Sequence, residues 1–250
     1  MRHMDLRQLL LVMGVFVLAG GVKGVTGMGL PTVAMSLLGL WMTPVQAVAV
    51  LVVPSLATNL AQCRGPYLRR LAVRLWPGWL AIAIVTVAAP GFGGTASTES
   101  VKRWLGAILI AYGVWGLWRP ALPDFAARGT RLSAVAGAAT GLVTAFTAVF
   151  VLPWVPYLQT LRLQKDEMVQ ALGLSFTVAT LALAVRVQAS APQAWLSVSG
   201  AFTACLALAG AFAGLKLGEV LRGRLVGPAF QKSLFGVFIA LGVANLSRAG

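Results

Sequence analysis

Ten apolar segments follow one another along this chain, parted by short stretches that hold most of its charge. In the first half they cover about 6–26, 29–42, 44–63, 72–90 and 101–118. In the second they cover about 131–151, 153–163, 167–187, 194–216 and 229–247. Eight of them approach the roughly 20 helical residues needed to cross a bilayer. Segments of this kind read as helices, because in lipid every backbone polar group must be satisfied internally. At 58% hydrophobic and 10% charged residues, with a mean hydropathy of +0.84, the chain lacks the charge that covers a soluble domain, roughly 25% of residues. The fold class is therefore all-α integral membrane.

The second segment of each half is too short to cross alone, and so reads as one limb of a broken or re-entrant hairpin. Each follows a glycine- and threonine-rich interruption, Gly20 to Pro31 in the first half and Gly137 to Pro153 in the second. Val45-Gln46-Ala47 and Val169-Gln170-Ala171 carry the match into the third segments, with the drifting offset of a diverged duplication. The expected organisation is one compact transmembrane domain of two repeats, 1–125 and 126–250, each a broken hairpin plus three transmembrane helices. An odd number of passes per half inverts one repeat relative to the other. Interrupted segments at corresponding positions of such halves point to a transporter's binding site.

The formal net charge is +14, and its placement decides its meaning. Arg64, Arg69, Arg70 and Arg74 lie between apolar runs, as do Arg119, Arg128 and Arg131, and again Lys216, Arg222, Arg224 and Lys232. Counting passes puts all of them on one side together with Arg162 and Lys165, the positive-inside pattern of a cytoplasmic face. No basic run is interleaved with aromatics for base stacking, so nucleic acid is excluded as a partner. Trp41, Trp76, Trp79, Trp104, Trp118 and Trp195 stand near segment ends, as in interfacial belts. Residues 1–19 mimic a signal peptide, but no small-residue cleavage site follows and the apolar run continues into Gly20–Pro31; this is the first membrane segment. Cys63 and Cys205 do not form a disulfide framework. With His3 as the one histidine, no metal-ligand cluster exists, and neither metal nor cofactor is expected.

Lys23 is the one lysine inside a predicted apolar segment. An ammonium in hydrocarbon costs about 2.5–3.5 kcal/mol on insertion scales. Two readings stay open: a cation beside an unwound segment whose free N–H groups hold an anion, or a lysine near a segment end that snorkels to the interface. Thr26-Gly27-Met28-Gly29-Leu30-Pro31 reads as a substrate-lining break, and Pro31 and Pro153 stop a helix from running through. Gly20/Gly24 and Gly137/Gly141 also have the small-xxx-small spacing of helix packing. Thr144, Thr147, Tyr157 and Gln159 are the polar groups of the second break. Gln46, Asn59, Gln62, Gln170, Ser175 and Thr177 are polar positions on the third segments, each also able to act as interhelical glue.

The acidic residues Asp5, Glu99, Asp124, Asp166, Glu167 and Glu219 all fall in predicted loops or at segment ends. Cation carriers and carboxylate proton relays need one deep in the membrane, so the site suits a small anion. The same absence, and the lack of a Ser–His pair, argue against an intramembrane hydrolase; the chain is not read as an enzyme. The candidate substrate-binding set is Lys23, Thr26, Gly27, Met28, Gly29, Pro31, Asn59, Thr144, Thr147, Pro153, Tyr157, Gln159 and Gln170.

Val22-Lys-Gly-Val-Thr-Gly-Met-Gly-Leu-Pro-Thr-Val-Ala-Met35 resembles the first glycine-rich signature of the sulfite exporter TauE/SafE family of bacterial and archaeal permeases. Val53-Pro-Ser-Leu-Ala-Thr-Asn59 is similar to it as well. Phe150-Val-Leu-Pro-Trp-Val-Pro-Tyr-Leu-Gln159, followed by Gln164-Lys-Asp-Glu-Met-Val-Gln-Ala171, resembles the signature of its second repeat. The resemblance covers essentially the whole chain. It implies a permease for small sulfur-containing anions such as sulfite, sulfonates or sulfoacetate, built as a compact bundle of two repeats in the bacterial inner membrane. Ala145 and Ala148 stand where the second signature usually has glycine, which bears on how open the second break is.

The expected function is thus transport of a small anion held near the midplane between the two breaks, with the lipid bilayer as surroundings. The alternative from another class is a structural or assembly subunit of a membrane complex, in which the repeats serve packing alone.

Overall fold

The computed structural model describes residues 5–90, 97–118, 129–190, 192, 198–225 and 228–248. His3, Arg119, Asp124, Arg128 and Trp195 lie outside the described residues. Among the described residues the regular structure is helical. In chain order the helices are α1 (Leu6–Thr26), α2 (Leu30–Leu38), α3 (Pro44–Gln62), α4 (Leu68–Ala88), α5 (Thr98–Trp118), α6 (Gly129–Thr147), α7 (Trp154–Thr160), α8 (Lys165–Ser190), α9 (Val198–Leu225) and α10 (Pro228–Ser247). By length and composition, α1, α3, α4, α8 and the stretch Phe202–Arg222 of α9 suffice to cross a membrane. Helices α5, α6 and α10 stand at the positions of three further predicted segments, and the two short segments appear as the half-length helices α2 and α7.

Small residues decide which helices meet. A Cβ added to Gly20 would lie 2.2 Å from the Ala211 carbonyl oxygen, and one added to Gly24 would lie 2.3 Å from that of Leu215. From the other side, Gly214 faces the Val17 carbonyl at 2.0 Å and Gly218 that of Gly21 at 2.2 Å. Helices α1 and α9 therefore touch backbone to backbone. Gly137 on α6 does the same against Gly78 on α4, at 2.2 Å. Lipid tails are as apolar as the helices, so this close fit, not hydrophobic exclusion, holds the pairs together. The Gly20/Gly24 and Gly137/Gly141 spacings thus serve packing.

The pattern of pairs has a simple order. Helix α1 packs on α9, α4 on α6, α3 on α8 and α5 on α10, with further contacts of α4 to α8 and α3 to α9. Exchanging α1–α5 for α6–α10 turns the α1/α9 pair into α6/α4 and the α3/α9 pair into α8/α4, and returns α3/α8 and α5/α10 to themselves. The hairpins α1/α2 and α6/α7 also correspond.

Trp41, Trp76, Trp104 and Trp118 are exposed, as belt residues are. Trp79 departs from that expectation: it is half-buried, and its indole N–H donates to Ser175 Oγ on α8 at 2.8 Å. An indole at this depth needs an acceptor, and a neighbouring helix supplies one.

Candidate functional site

The first interruption is built from two left-handed glycines, Gly27 (φ 83°) and Gly29 (φ 97°), with Met28 between them. This backbone region costs an L side chain roughly 1–2 kcal/mol per residue, so glycine at both positions lets α1 stop and α2 start within three residues. Carbonyls at the break, and the Met28 N–H, are paired locally. Thr26 Oγ1 donates within reach of the Val22 and Met28 carbonyls, at 2.8 Å each, and accepts from the Met28 N–H. Gln62 at the end of α3 donates to the Gly27 carbonyl at 2.8 Å. Arg222 on α9 donates through Nε and Nη2 to the Gly24 carbonyl, at 3.0 and 2.7 Å.

Lys23 belongs to a different set of contacts. Its side chain is buried, 1% exposed, so it does not snorkel. The ammonium donates to Thr58 Oγ1 at 3.1 Å and to Asn59 Oδ1, both on α3. Asn59 Nδ2 in turn lies 3.3 Å from Ser55 Oγ and from Thr180 Oγ1. The hydroxyls of Ser55 and Thr180 bridge α3 to α8 at 3.2 Å. An ion pair forms elsewhere, between Arg70 and Glu167 at 3.4 Å, while Lys23 rests on neutral oxygens.

The second interruption is longer. Helix α6 ends at Thr147, Ala148 takes a left-handed φ of 56°, and α7 starts after Pro153. Alanine thus holds a conformation in which glycine is the unstrained residue, and the helix breaks all the same. Thr144 Oγ1 donates to the Thr140 carbonyl at 2.7 Å, and Thr147 Oγ1 to that of Val143 at 2.7 Å. Thr147 also accepts from the Val149 N–H at 3.1 Å. Both hydroxyls are spent on backbone inside a fully buried setting. Tyr157 is buried with its ring 5.2 Å from that of Trp154.

A cavity of about 900 Å³ runs along the first break. Thr26, Gly27, Met28 and Gly29 line it together with Val155, Pro156 and Gln159 of α7. Five of the sequence-predicted site residues, Thr26, Gly27, Met28, Gly29 and Gln159, therefore share one hollow. Lys23, Pro31, Asn59, Thr144, Thr147, Pro153, Tyr157 and Gln170 do not line it. Gln170 instead clamps the turn between α3 and α4. Its side-chain amide accepts from the Tyr67 N–H at 3.0 Å and donates to the Cys63 and Gly65 carbonyls at 2.9 and 3.0 Å.

Other parts of the cavity wall were not singled out as site residues from sequence. Tyr112 and Trp115 of α5 and Phe235 and Phe238 of α10 form an aromatic side, and Lys165, Glu219 and Arg222 bring charge. The clue available in sequence was weak: aromatics one helical turn apart beside Gly113 and Gly116 look like ordinary lipid-facing residues. Arg186 is a second interior residue that the segment pattern hid. It is buried on α8 and donates to the Thr86 and Ala89 carbonyls at 2.8 and 2.6 Å, capping the end of α4. Glu167 does sit in the first turn of α8, as expected of a segment end, but its side chain is buried.

A family model described as Sulfite exporter TauE/SafE matches residues 12–245. Comparison with curated proteins and with solved structures gives no match.

Proposed function

The chain belongs to the sulfite exporter TauE/SafE family, and on that premise we propose that it carries small sulfur-containing anions, sulfite or an organosulfonate, across the bacterial inner membrane. As a multi-pass membrane protein of a transporter family it has the required class. The finer reading concerns substrate and site. The observation that carries it is the hollow that joins the Gly27–Gly29 interruption to α7, the short helix after the other interruption.

In this reading the anion enters the cavity beside the first break. Lys165 and Arg222 contribute positive charge there, with Glu219 on the same wall. The first turn of α2 has N–H groups without an intrahelical partner, and its partial positive charge contributes about 0.3–1 kcal/mol toward holding an anion. Thr26 and Gln159 offer hydrogen bonds. Lys23 lies behind the break rather than in it, and its role is to add positive potential from the buried network on α3. The two halves, related as inverted repeats, rock about this region to expose it to alternate sides.

The test is flux of labelled sulfite into proteoliposomes, with the wild type beside Lys23→Gln and Gly27→Ala. Uptake above empty liposomes, reduced in both variants while both still insert, is the expected result. Wild-type protein that moves no sulfur anion would leave the assembly-subunit reading in its place.

A further inference from the structure

The oxygens around Lys23 are held in place by bonds that do not involve the lysine. Thr58 Oγ1 donates its own hydrogen within α3, to the Pro54 carbonyl at 2.8 Å or that of Ser55 at 3.1 Å, so a lone pair faces the ammonium. Thr180 Oγ1 donates to the Phe176 carbonyl at 2.6 Å and therefore meets Asn59 Nδ2 as an acceptor. With Nδ2 turned to Thr180 and Ser55, the Asn59 amide presents Oδ1 to the ammonium. The hydrogens of Thr58, Asn59 and Thr180 thus point away from the cation and their lone pairs are ready for it. Ser55, Thr58 and Asn59 are fully buried, and Thr180 is 1% exposed.

Neutral oxygens fixed in this way replace the hydration shell of a monovalent cation. A buried charge needs such compensation, and among the described residues no carboxylate pairs with Lys23. The lysine is also one of the largest fully buried side chains. Beyond its Cβ lie three carbons and the nitrogen, the heavy atoms of n-propylammonium. A buried hole left by truncating a side chain can take up a small molecule of matching shape.

We infer that Thr58 and Asn59 of α3, steadied by Ser55 and by Thr180 of α8, form a site for a monovalent organic cation, which in this chain is occupied by the tethered Lys23 ammonium. Cut back to the Cβ, the site accepts a free primary alkylammonium ion in its place. The positive charge behind the first break is therefore built into α1, and no cation from solution has to fill this position during anion transport. Only that last consequence rests on the transport reading; the site itself rests on the oxygens.

The experiment is thermal unfolding of purified Lys23→Ala in n-propylammonium chloride, in sodium chloride at equal ionic strength, and with the neutral n-propanol. At about ten times its dissociation constant, propylammonium raises the melting temperature of Lys23→Ala by about 3–6 °C over sodium chloride. Propanol does not, the wild type does not respond, and Asn59→Leu added to Lys23→Ala abolishes the shift. In proteoliposomes propylammonium restores sulfite flux to Lys23→Ala, while Lys23→Met, which fills the space without charge, stays low in every buffer. If Lys23→Ala cannot be purified by itself, it is extracted with the amine or with propanol present. Recovery with the amine alone supports the site; recovery with both alike or with neither overturns it. Equal shifts from amine and alcohol, a shift that survives Asn59→Leu, or wild-type flux in Lys23→Met also overturns it. Wild-type sulfite flux with no response of Lys23→Ala to the amine overturns this inference alone. A selective shift in a protein that moves no sulfur anion leaves the cation site standing and overturns the transport reading.

Discussion

Lys23 and Asn59 meet side chain to side chain across α1 and α3, in the interior of the bundle. That contact turns the ammonium away from the cavity, although Val22, Val25 and Thr26 on the same helix line it. The cation that stands out in sequence is therefore part of the wall's support, one layer behind the hollow.

Asn59→Ala leaves the ammonium with Thr58 as its hydrogen-bond partner and removes the Nδ2 contacts to Ser55 and Thr180, whose hydroxyls still meet each other. A hydrogen bond to a charged group contributes about 1.5–3 kcal/mol, so a stability loss of that order is expected in thermal unfolding of the purified protein. Lys23→Met with Asn59→Leu removes both partners together, and the double variant should lose less than the sum of its singles. Strict additivity in this cycle would show that the contact carries no coupling.

The α1/α9 seam sets a second expectation. An alanine at Gly20 or Gly214 drives a methyl into a backbone carbonyl that has no rotamer to move to. Overpacking of this kind costs about 1–3 kcal/mol or more, so both variants should lose monodispersity or melt earlier. Gly14→Ala and Gly236→Ala, where nothing lies within 4 Å, should melt at or above the wild-type temperature. A uniform response at all four positions would contradict backbone-to-backbone packing.

Gln170 makes three hydrogen bonds to the 63–67 turn. At about 0.5–1.5 kcal/mol each, Gln170→Leu should destabilise the protein by roughly 2–4 kcal/mol while the KM for sulfite stays at its wild-type value. Gln159→Leu, in the cavity, should do the reverse. A raised KM in Gln170→Leu with unchanged stability would return this residue to the substrate.

Accessibility follows the cavity. In a Cys63→Ser, Cys205→Ser background, Val169→Cys lines the hollow near Gly27. It should react with a membrane-impermeant maleimide applied from the side of the basic loops, more slowly with sulfite present. Thr144→Cys, at a fully buried position, should resist the reagent from both sides. Labelling of Val169→Cys from the opposite side alone would reverse the assigned orientation.

Amino-acid order alone settled the class and the interruptions. Apolar runs of spanning length with basic gaps admit little besides a helical membrane protein, and the Gly27–Gly29 pair before Pro31 marks the first stop, while the second forms at Ala148 without a glycine. The half-length α2 and α7 were legible for the same reason, since a run of too few residues cannot cross. Only tertiary structure decided what each polar residue on these segments does. Lys23, Thr144, Thr147 and Gln170 carry the same donors whether they face a ligand or a neighbouring helix, and their partners are distant in the chain or lie in their own backbone. Tyr112, Phe235 and Phe238 come from helices more than a hundred residues apart in sequence, and their shared wall exists because α5 packs on α10. Periodicity reports what a segment can bury, but which face meets which neighbour is fixed by backbone fit between segments far apart, as at Gly20 and Ala211.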